Sequence, residues 1–405
     1  MKTDVIVIGA GPAGAALAAI LAQNGFSVSI LEKTVFPRFS IGESLLPQCM
    51  TFLEKANLLS AVPEAYFQIK KGALFARGKR TSKIDFSQKF SDGPSQTWQV
   101  ERSLFDDFLV KKAVSLGASI LFDCAVQDIL FKKDSVDVKI LQSGEQKSIR
   151  ASFIVDASGG AMVLPRLMNT VNKPKLSKVA LFQHFSGEER SLEESENILI
   201  SIHPENNKIW YWGIPFKNNK ISVGVVSDEK TLSSFKGSDC DIFHTLCSQE
   251  PNLKRRLKNA YGSNSVQRIE GYEAAVEKIH GDRFLIIGNA AGFIDPIFSS
   301  GITIALKSAV TAAPEIINFL KNKQADWQTY DAEMATGTKT FQAYVDAWYD
   351  SSLQEIILTQ NKEPDIQSKI NSILAGYVWD QKNSFVREPK RKLKQVYKLL
   401  ERIKS

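Results

Sequence analysis

Residues 5–14, VIVIGAGPAG, decide how this chain begins to fold. Four β-branched residues predict a buried strand, and the three glycines after them predict a tight turn into a helix. The helix is expected over residues 15–24, which are mostly small and apolar, and a second apolar strand follows at residues 27–31. Glu32 comes directly after that strand, 18 residues beyond Gly14, where a carboxylate accepts hydrogen bonds from a ribose. This order of elements is typical of a dinucleotide-binding unit.

The residues of the turn have separate predicted roles in holding a dinucleotide. Gly9 makes the tight turn, Gly11 lets the backbone approach a pyrophosphate, and Gly14 lets the helix pack closely on the strand. Pro12 and Ala13, which lie between these glycines, are assigned to the cofactor with them, and the free N–H groups at the N-terminus of the helix point at the phosphates. The motif alone does not separate FAD from NAD.

The amino-acid composition limits the classes of protein to which this chain can belong. The 405 residues are 43% apolar and 23% charged, which is typical of a soluble globular enzyme of about two domains. The four cysteines form no CxxC pair and the four histidines have no metal-ligand spacing, so we expect no metal site and a reducing, cytoplasmic location. We also expect no signal peptide and no membrane span, because no apolar run reaches 18 residues. The net charge of +7 lies largely in residues 390–404, which predict a solvated helix face more readily than membrane contact.

Changes in the pattern of apolar residues and turns along the chain predict how it divides into domains. Buried strands that end in turns at residues 153–159 and 284–291 indicate two returns to the nucleotide sheet, with a region of short strands between them. Those short strands are expected at residues 179–185, 197–203, 208–214, 221–226 and 268–272, and later helices at residues 301–321, 327–360 and 388–404. We therefore expect an α/β protein with three units: a nucleotide-binding domain of residues 1–160 and 279–325, an inserted, mainly antiparallel, substrate-covering sheet domain of residues 161–278 with parts of 60–100, and a helical C-terminal region of residues 326–405.

Several motifs in one order resemble the FAD-dependent monooxygenase superfamily. They are the glycine turn, Arg102 before a helix, VDASG at residues 155–159 and GDRFLIIGNAA at residues 281–291. The resemblance implies a Rossmann-like FAD-binding domain of the hydroxybenzoate-hydroxylase type. It also implies that Arg102 contacts the cofactor, although an ordinary salt bridge at the start of a helix would explain that arginine equally well.

The same resemblance assigns further residues to the cofactor. Asn289 stands where the family usually has aspartate on the ribitol, and an amide can still make that hydrogen bond. The helix after it is expected to face the flavin ring. The remaining cofactor-side residues implied are Lys33, Arg38, Ser40, Ala125, Asp156, Gly288, Gly301 and Ile302.

Three further motifs resemble those of flavin-dependent halogenases of the tryptophan and phenolic types. GESLLP at residues 42–47 resembles a loop that halogenases share with geranylgeranyl-reductase-like proteins. WYWGIP at residues 210–215 and FIDPIFSSG at residues 293–301 match the family patterns W-x-W-x-I-P and F-x-x-P-x-x-S-x-G. The substrate-side residues implied are Trp210, Trp212, Phe293, Pro296, Ser299 and Ser300. Two plainer interpretations stay open, since the tryptophans suit a protein core and the serines suit a helix N-cap.

A lysine completes the halogenase pattern. FQIKKGA at residues 67–73 resembles F-x-x-K-x-G-A, which places Lys70 at the catalytic position. An amine that burial or a neighbouring positive charge keeps neutral can capture an oxidised halogen or hydrogen-bond it towards a substrate. Lys71 complicates the assignment, and the alternative is that both are surface lysines. His184 is a weaker candidate for a substrate-facing group, because a histidine on an apolar strand is more often part of the core.

The resemblance implies an enzyme that uses reduced FAD, O₂ and chloride or bromide to halogenate an electron-rich aromatic small molecule. No second nucleotide fingerprint is visible, which is compatible with a separate flavin reductase as partner but does not decide it, because monooxygenases of this superfamily often bind NADPH without one. Nucleic acid is not an expected partner. Three alternatives remain: an FAD-dependent aromatic hydroxylase, a reductase of isoprenoid double bonds, and a flavoprotein that keeps FAD as structure while binding a partner.

Overall fold

A computed structural model describes residues 2–172, 178–270, 275–360 and 363–404. The strands are β1 Lys2–Ile8, β2 Val28–Leu31, β3 Gln68–Lys70, β4 Gly72–Arg77, β5 Arg80–Asp85, β6 Thr97–Gln99, β7 Ser119–Leu121, β8 Cys124–Phe131, β9 Val136–Gln142, β10 Glu145–Asp156, β11 Val171–Asn172, β12 Lys178–Ser186, β13 Asn197–Ile202, β14 Trp210–Pro215, β15 Lys220–Asp228, β16 Tyr261–Gly262, β17 Gln267–Glu270, β18 Ala275–Val276, β19 His280–Gly281 and β20 Phe284–Ile286. The α-helices are α1 Pro12–Gln23, α2 Gln48–Lys55, α3 Arg102–Ser115, α4 Val163–Leu167, α5 Leu192–Ser195, α6 Glu229–Leu232, α7 Asp239–Gln249, α8 Pro251–Arg256, α9 Ser300–Asn322, α10 Trp327–Tyr349, α11 Ser352–Leu358, α12 Pro364–Leu374, α13 Ser384–Arg387 and α14 Pro389–Lys404.

The first sheet is the predicted nucleotide sheet. Its strands follow the order β19-β20-β10-β1-β2-β7, and β9 joins β10 to β8. β1 lies in parallel register between β10 and β2, so its carboxyl end and the turn after it open at one edge of the sheet. Helices α1 and α9 pack against each other as part of the main apolar core. The predicted α/β class with a Rossmann-like nucleotide-binding fold is confirmed.

The second sheet is mainly antiparallel, as predicted. Its order is β16-β12-β15-β14-β13-β4-β5, with β17 also on β12 and one parallel pair between β13 and β4. The strand expected at residues 268–272 corresponds to β17 over its first residues, and residues 271 and 272 lie outside the described part of the chain. A separate two-stranded ribbon, β3 with β6, pairs Lys70 with Thr97 and lies under the loop that contains residues 42–47.

Helices that the sequence interpretation missed cover the second sheet. Residues 161–278 were expected to be mostly short strands, but α7 and α8 pack on the outer face of β12 and β15. Their signal was present, because Ser238 and Asp241 form a capping box in which each side chain accepts from the other's backbone N–H. The single aromatic stretch expected at residues 327–360 is two helices, since Ser351 adopts φ +69° between α10 and α11.

The C-terminal region is helical, as expected, and α14 follows the shorter α12 and α13. Within the described ranges, no helix is both long enough and apolar enough to cross a bilayer.

Candidate active site

The turn after β1 is built for glycine. Gly9 has φ +95°, and a Cβ there would lie 2.7 Å from the carbonyl oxygen of Ala157. A Cβ on Gly14 would lie 2.0 Å from the carbonyl oxygen of Gly9. A Cβ on Gly11 would meet only the Arg38 guanidinium, at 3.9 Å. Space is therefore open in front of the N-terminus of α1, where no side chain caps the free N–H groups.

Glu32 supports this turn from the end of β2. It is buried, its Oε2 accepts from the N–H of Ala10 at 2.9 Å, and its Oε1 accepts from the Thr34 hydroxyl at 2.7 Å. Oε1 also accepts from the N–H of Thr34 at 3.1 Å, so the second lone pair of Oε2 is the one left for a ribose hydroxyl. Ala125 lies nearby, because the N–H of Cys124 donates to the Glu32 carbonyl at 3.0 Å.

Arg102 is held by an ion pair at the start of α3. Its Nε and Nη2 donate to the two carboxylate oxygens of Asp106 at 2.7 and 2.8 Å, and its Nη1 donates to the Ile41 carbonyl at 2.7 Å. Burial opposes the charge, but Asp106 outweighs it and raises the pKa of Arg102 above its usual value. Arg38 shares Asp106 at 3.2 Å and lies 3.8 Å from Glu32. The helix-start salt bridge is therefore present, and a cofactor contact by Arg102 stays a prediction.

The other predicted cofactor-side residues of the first unit differ in exposure. Lys33 is exposed, and Ser40 donates to the neighbouring Ile41 carbonyl at 3.4 Å. Asp156 is buried, and its carboxylate accepts from the N–H groups of Ser158 at 2.8 Å and Leu164 at 2.7 Å. The carboxylate of Asp156 therefore shapes the turn after β10.

The second turn lies directly beside the first. Gly288 has φ +60°, and a Cβ there would lie 3.4 Å from the side chains of Ala13 in α1 and Ala305 in α9. A Cβ on Gly301 would lie 3.6 Å from the Asn289 amide, so that amide faces the first turn of α9, where Ile302 is buried. The N-termini of α1 and α9 are thus brought to one region of the molecule.

Lys70 is buried, with 1% of its surface exposed. Its Nζ donates to the Ser44 hydroxyl at 2.7 Å and to the Leu45 carbonyl at 2.8 Å, and it lies 5.6 Å from the centre of the Phe86 ring. Desolvation lowers the pKa of Lys70 to about 7, since an ammonium group is costly to bury without a carboxylate partner. We call the surroundings of this amine, formed by Ser44, Leu45 and Phe86, the lysine niche.

Lys71 has the opposite environment. About half of its side chain is exposed, and its Nζ forms a surface ion pair with Glu196 at 2.7 Å. The structure therefore separates two neighbouring lysines that the sequence left ambiguous.

The loop before α9 presents two serines. Ser299 adopts φ +58° at the N-cap position, and its side chain makes no capping hydrogen bond. The Ser300 hydroxyl is buried and has no hydrogen-bond partner among the described residues. Pro296 begins the short 3₁₀ turn Pro296–Phe298, and Phe293 is half-buried. The plain N-cap interpretation does not account for these serines.

Trp210 and Trp212 lie on the face of β14 that meets the main core. The Trp210 indole donates to the Tyr349 hydroxyl at 3.0 Å, and that hydroxyl donates to Asp295 at 2.6 Å. The Trp212 indole donates to the Ser222 hydroxyl at 3.1 Å. Both tryptophans are buried, and Trp210 is also connected through Tyr349 to the loop that precedes α9; their substrate-side role stays a prediction.

His184 lies at the mouth of a cleft of about 170 Å³, beside Arg38 and Arg102. Its Nε2 is 2.9 Å from the buried carboxylate of Glu43, an ion-pair distance at an angle that makes no hydrogen bond. Burial disfavours the imidazolium, but Glu43 outweighs this and raises the pKa of His184 above its usual value. His184 is therefore not an inert core residue.

Cys49, which follows the loop of residues 42–47, does not offer the reactive thiolate that a reductase cysteine would need. Burial raises its pKa, and its sulfur contacts the Thr303 hydroxyl at 3.1 Å. No group of three or more His, Cys, Asp or Glu side chains within the described ranges is arranged to hold a metal ion.

Comparison with known proteins identifies the family. Residues 2–218 match the model of the FAD binding domain family. The brominase of 1H-pyrrole-2-carbonyl-[peptidyl-carrier protein] from Pseudoalteromonas luteoviolacea is 30% identical over 397 residues, which cover 93% of this chain and 92% of that protein. This chain belongs to the flavin-dependent halogenase family. The predicted family and the predicted FAD cofactor are confirmed.

Other relatives of this halogenase-family chain differ in length or description. The flavin-dependent halogenase armH4 of Armillaria mellea is 34% identical over 345 residues, which cover 77% of this chain and 64% of that protein. The chain thus spans less than two thirds of the length of this fungal relative. A flavoprotein/dehydrogenase from Cytophaga hutchinsonii has a solved structure with TM-score 0.96 and 38% identity, and the match covers 100% of both chains.

The residues present fit FAD at two places. The open space over Gly11 admits a phosphate beside free helix N–H groups. The unpartnered Ser300 hydroxyl, next to Asn289 and Gly301, supplies a polar group at the other helix terminus.

Some residues of this halogenase-family site were not assigned from the sequence. Ser44 and Leu45 hold the lysine amine, and Gln99 lies fully buried in β6 with both amide atoms unpartnered among the described residues. Ser44 and Leu45 belong to the 42–47 motif, which was the available signal. Tyr349 gave no signal, because it meets Asp295 only through the packing of α10.

Proposed function

We propose that this chain is an FAD-dependent halogenase that acts on an electron-rich aromatic small molecule. One observation carries the proposal: the Lys70 amine is buried, its hydrogen bonds within the described part of the chain go to the neutral groups of Ser44 and Leu45, and its pKa is lowered to about 7. A structural lysine gains little from such a niche, whereas a lysine that handles a halogen needs its lone pair at neutral pH.

In this proposal the residues on the cofactor side contact different parts of FAD. Gly9, Gly11 and Gly14 form the pyrophosphate cradle, and Glu32 accepts from the ribose. Asn289 bonds the ribitol, and Arg38 and Arg102, which line the cleft beside His184, contact the cofactor. Lys33, Ser40, Ala125 and Asp156 are assigned to the cofactor side by the family resemblance. When bound and reduced, FAD with O₂ supplies the oxidising equivalents that convert halide and a proton to hypohalous acid and water.

Lys70 then transfers the halogen. Its neutral amine takes the halogen from hypohalous acid, and the released hydroxide leaves as water with the amine proton. The halogen passes next to the aromatic carbon, whose displaced proton restores the amine. Hydrogen bonding of hypohalous acid by the same amine would serve the same end.

The N-terminus of α9 is the proposed halide site. Its free N–H groups at Ser300 and Gly301 and the unpartnered Ser300 hydroxyl favour a small anion. The restricted backbone at Pro296 and Ser299 holds these groups in place.

The substrate is proposed to be a phenol or a pyrrole. Trp210, Trp212 and Phe293 suit an aromatic ring, and the pyrrole brominase relative is named for a substrate on a carrier protein, so a carrier-bound pyrrole is one substrate to test. A separate flavin reductase and a cytoplasmic location belong to the same proposal.

A halogenation assay tests this function. Purified protein is supplied with FAD, a flavin reductase, NADH and bromide, and phenols, indoles, free pyrroles and carrier-bound pyrroles are screened by mass spectrometry. We expect a bromine isotope doublet that requires bromide. A hydroxylated product that forms equally without bromide would replace the proposal by an aromatic hydroxylase, and reduction of FAD by NADPH without a reductase would count the same way.

A further inference from the structure

The backbone of the loop that holds Lys70 is hydrogen-bonded to residues 98 and 100. Its Glu43 carbonyl accepts from the N–H of Val100 at 2.7 Å, and its Leu45 N–H donates to the Trp98 carbonyl at 3.1 Å. Side chains along such an extended segment alternate in direction. Ser44 meets the Lys70 amine, whereas the carboxylate of the preceding Glu43 meets His184 of β12.

Glu43 depends on His184 for its charge balance. Its side chain is 1% exposed, and its Oε2 has no hydrogen-bond partner among the described residues. A buried carboxylate without a cationic partner is costly, so the 2.9 Å contact with His184 matters more here than on a surface.

Other charges near Glu43 are already engaged. Arg102 and Arg38 line the same cleft, but Arg102 binds Asp106 through two hydrogen bonds and Arg38 also lies on Asp106. Arg102 contacts the loop at the backbone carbonyls of Ile41 and Gly42, and it interacts with the Glu43 carboxylate through charge, because Glu43 also helps to raise the pKa of Arg102.

The remaining charges that face His184 come from α3 and β15. Glu101 favours the imidazolium and Lys220 opposes it, and these two form their own ion pair at 3.3 Å. Glu43 therefore supplies the main interaction that keeps His184 charged.

We infer that His184 is a positioning residue for Lys70, which it controls through Glu43 and the backbone of Ser44 and Leu45. The inference rests on the proposed function for its catalytic consequence. With His184 charged, the loop stays on β12 and presents the Ser44 hydroxyl and the Leu45 carbonyl to the amine. With His184 neutral, the unpaired Glu43 carboxylate moves towards water and the lysine niche opens.

The inference gives the enzyme two opposing protonation requirements. Lys70 must be neutral, which favours pH above about 7, and His184 must be charged, which favours pH below its own raised pKa. The halogenation rate is therefore expected to have a bell-shaped pH profile, and its alkaline limb belongs to the pair His184–Glu43.

The test uses the FAD-loaded full chain with His184→Gln, Glu43→Gln and the double variant. Each is expected to lower kcat for bromination about tenfold and to leave the bromide KM within about twofold, and the double variant to lose no more than either single one. In Glu43→Gln the alkaline limb should disappear, because the charge of His184 then has no carboxylate through which to act. His244→Gln, at an exposed imidazole on α7, is the control and should leave all values unchanged.

A second readout does not need halogenation. In protein labelled with ¹³Cε-lysine, the Lys70 resonance is assigned by its loss in Lys70→Arg and titrated in each variant. Opening of the niche should raise the Lys70 pKa by about one unit or more in His184→Gln and Glu43→Gln. An unchanged Lys70 titration in both variants overturns the inference. Inactive wild-type protein in which the Lys70 titration still shifts would refute the proposed function and leave the positioning role standing.

Discussion

The glycine turn before α1 and the lysine niche, which we propose to serve one cofactor site, depend on different physical means. The turn depends on backbone geometry, because a side chain on Gly14 would lie 2.0 Å from the Gly9 carbonyl oxygen. The niche depends on tertiary burial, because Lys70 is covered by Ser44, which lies 26 residues earlier. A site that depends on backbone geometry is thus formed by residues close together in the sequence, whereas a shifted pKa arises only when the fold brings distant residues together.

The largest effect on this comparison is expected from adding a side chain in the glycine turn. Gly14→Ala should abolish FAD binding, with loss of more than about 100-fold in affinity, because the added methyl group forces β1 and α1 apart. Flavin fluorescence and absorbance after gel filtration measure this. Gly160→Ala is the control, since a Cβ there meets nothing within 4 Å, and it should bind FAD normally. Normal FAD binding by Gly14→Ala would contradict the assigned turn.

The second prediction separates the niche from the turn. Lys70→Ala should retain FAD and lose bromination by at least about 100-fold, whereas Lys71→Ala should stay within about twofold of the wild type. Product mass spectrometry at matched FAD content measures both. Equal losses in the two variants would mean that burial does not distinguish the lysines.

The third prediction concerns stability against pH. The Lys70 pKa is lowered to about 7 in the folded protein, so the cost of burying its charge is fully present below pH 7 and disappears as pH rises towards the unfolded value of about 10.5. From pH 7 to 9 the wild type should gain about 2 to 3 kcal/mol relative to Lys70→Met. Urea unfolding at both pH values gives this difference. A difference independent of pH would show that Lys70 titrates normally.

The smallest effect is expected at the surface pair next to the niche. Glu196→Gln removes the partner of Lys71, and exposed pairs of this kind contribute under about 1 kcal/mol. The unfolding free energy should fall by less than that amount, and bromination should not change. A larger loss of activity would indicate that the outer lysine supports the niche.

The sequence predicted the parts of this molecule that depend on short patterns. The glycine turn and both main sheets were predicted from local residues, and Lys70 was assigned by its resemblance to the family pattern. That the Lys70 amine is buried and the Lys71 amine is not could not be predicted, because it depends on the pairing of β3 with β6 and on the loop above them. The Glu43–His184 pair was missed for the same reason, since 141 residues separate its members.

Helices α7 and α8 show a different limit. Their capping box was visible, but the surrounding strands dominated the interpretation of residues 161–278. They cover a sheet whose outer face would otherwise be apolar and open to water, a need that appears only when the strands are assembled.

Burial lowers the pKa of the Lys70 amine to about 7, so that a large share of it is neutral near pH 7, where an ordinary lysine is fully charged. Titration of the Lys70 ¹³Cε resonance in the FAD-loaded wild-type protein tests this directly. We expect a midpoint near 7. A midpoint near the ordinary lysine value of about 10.4 would contradict it.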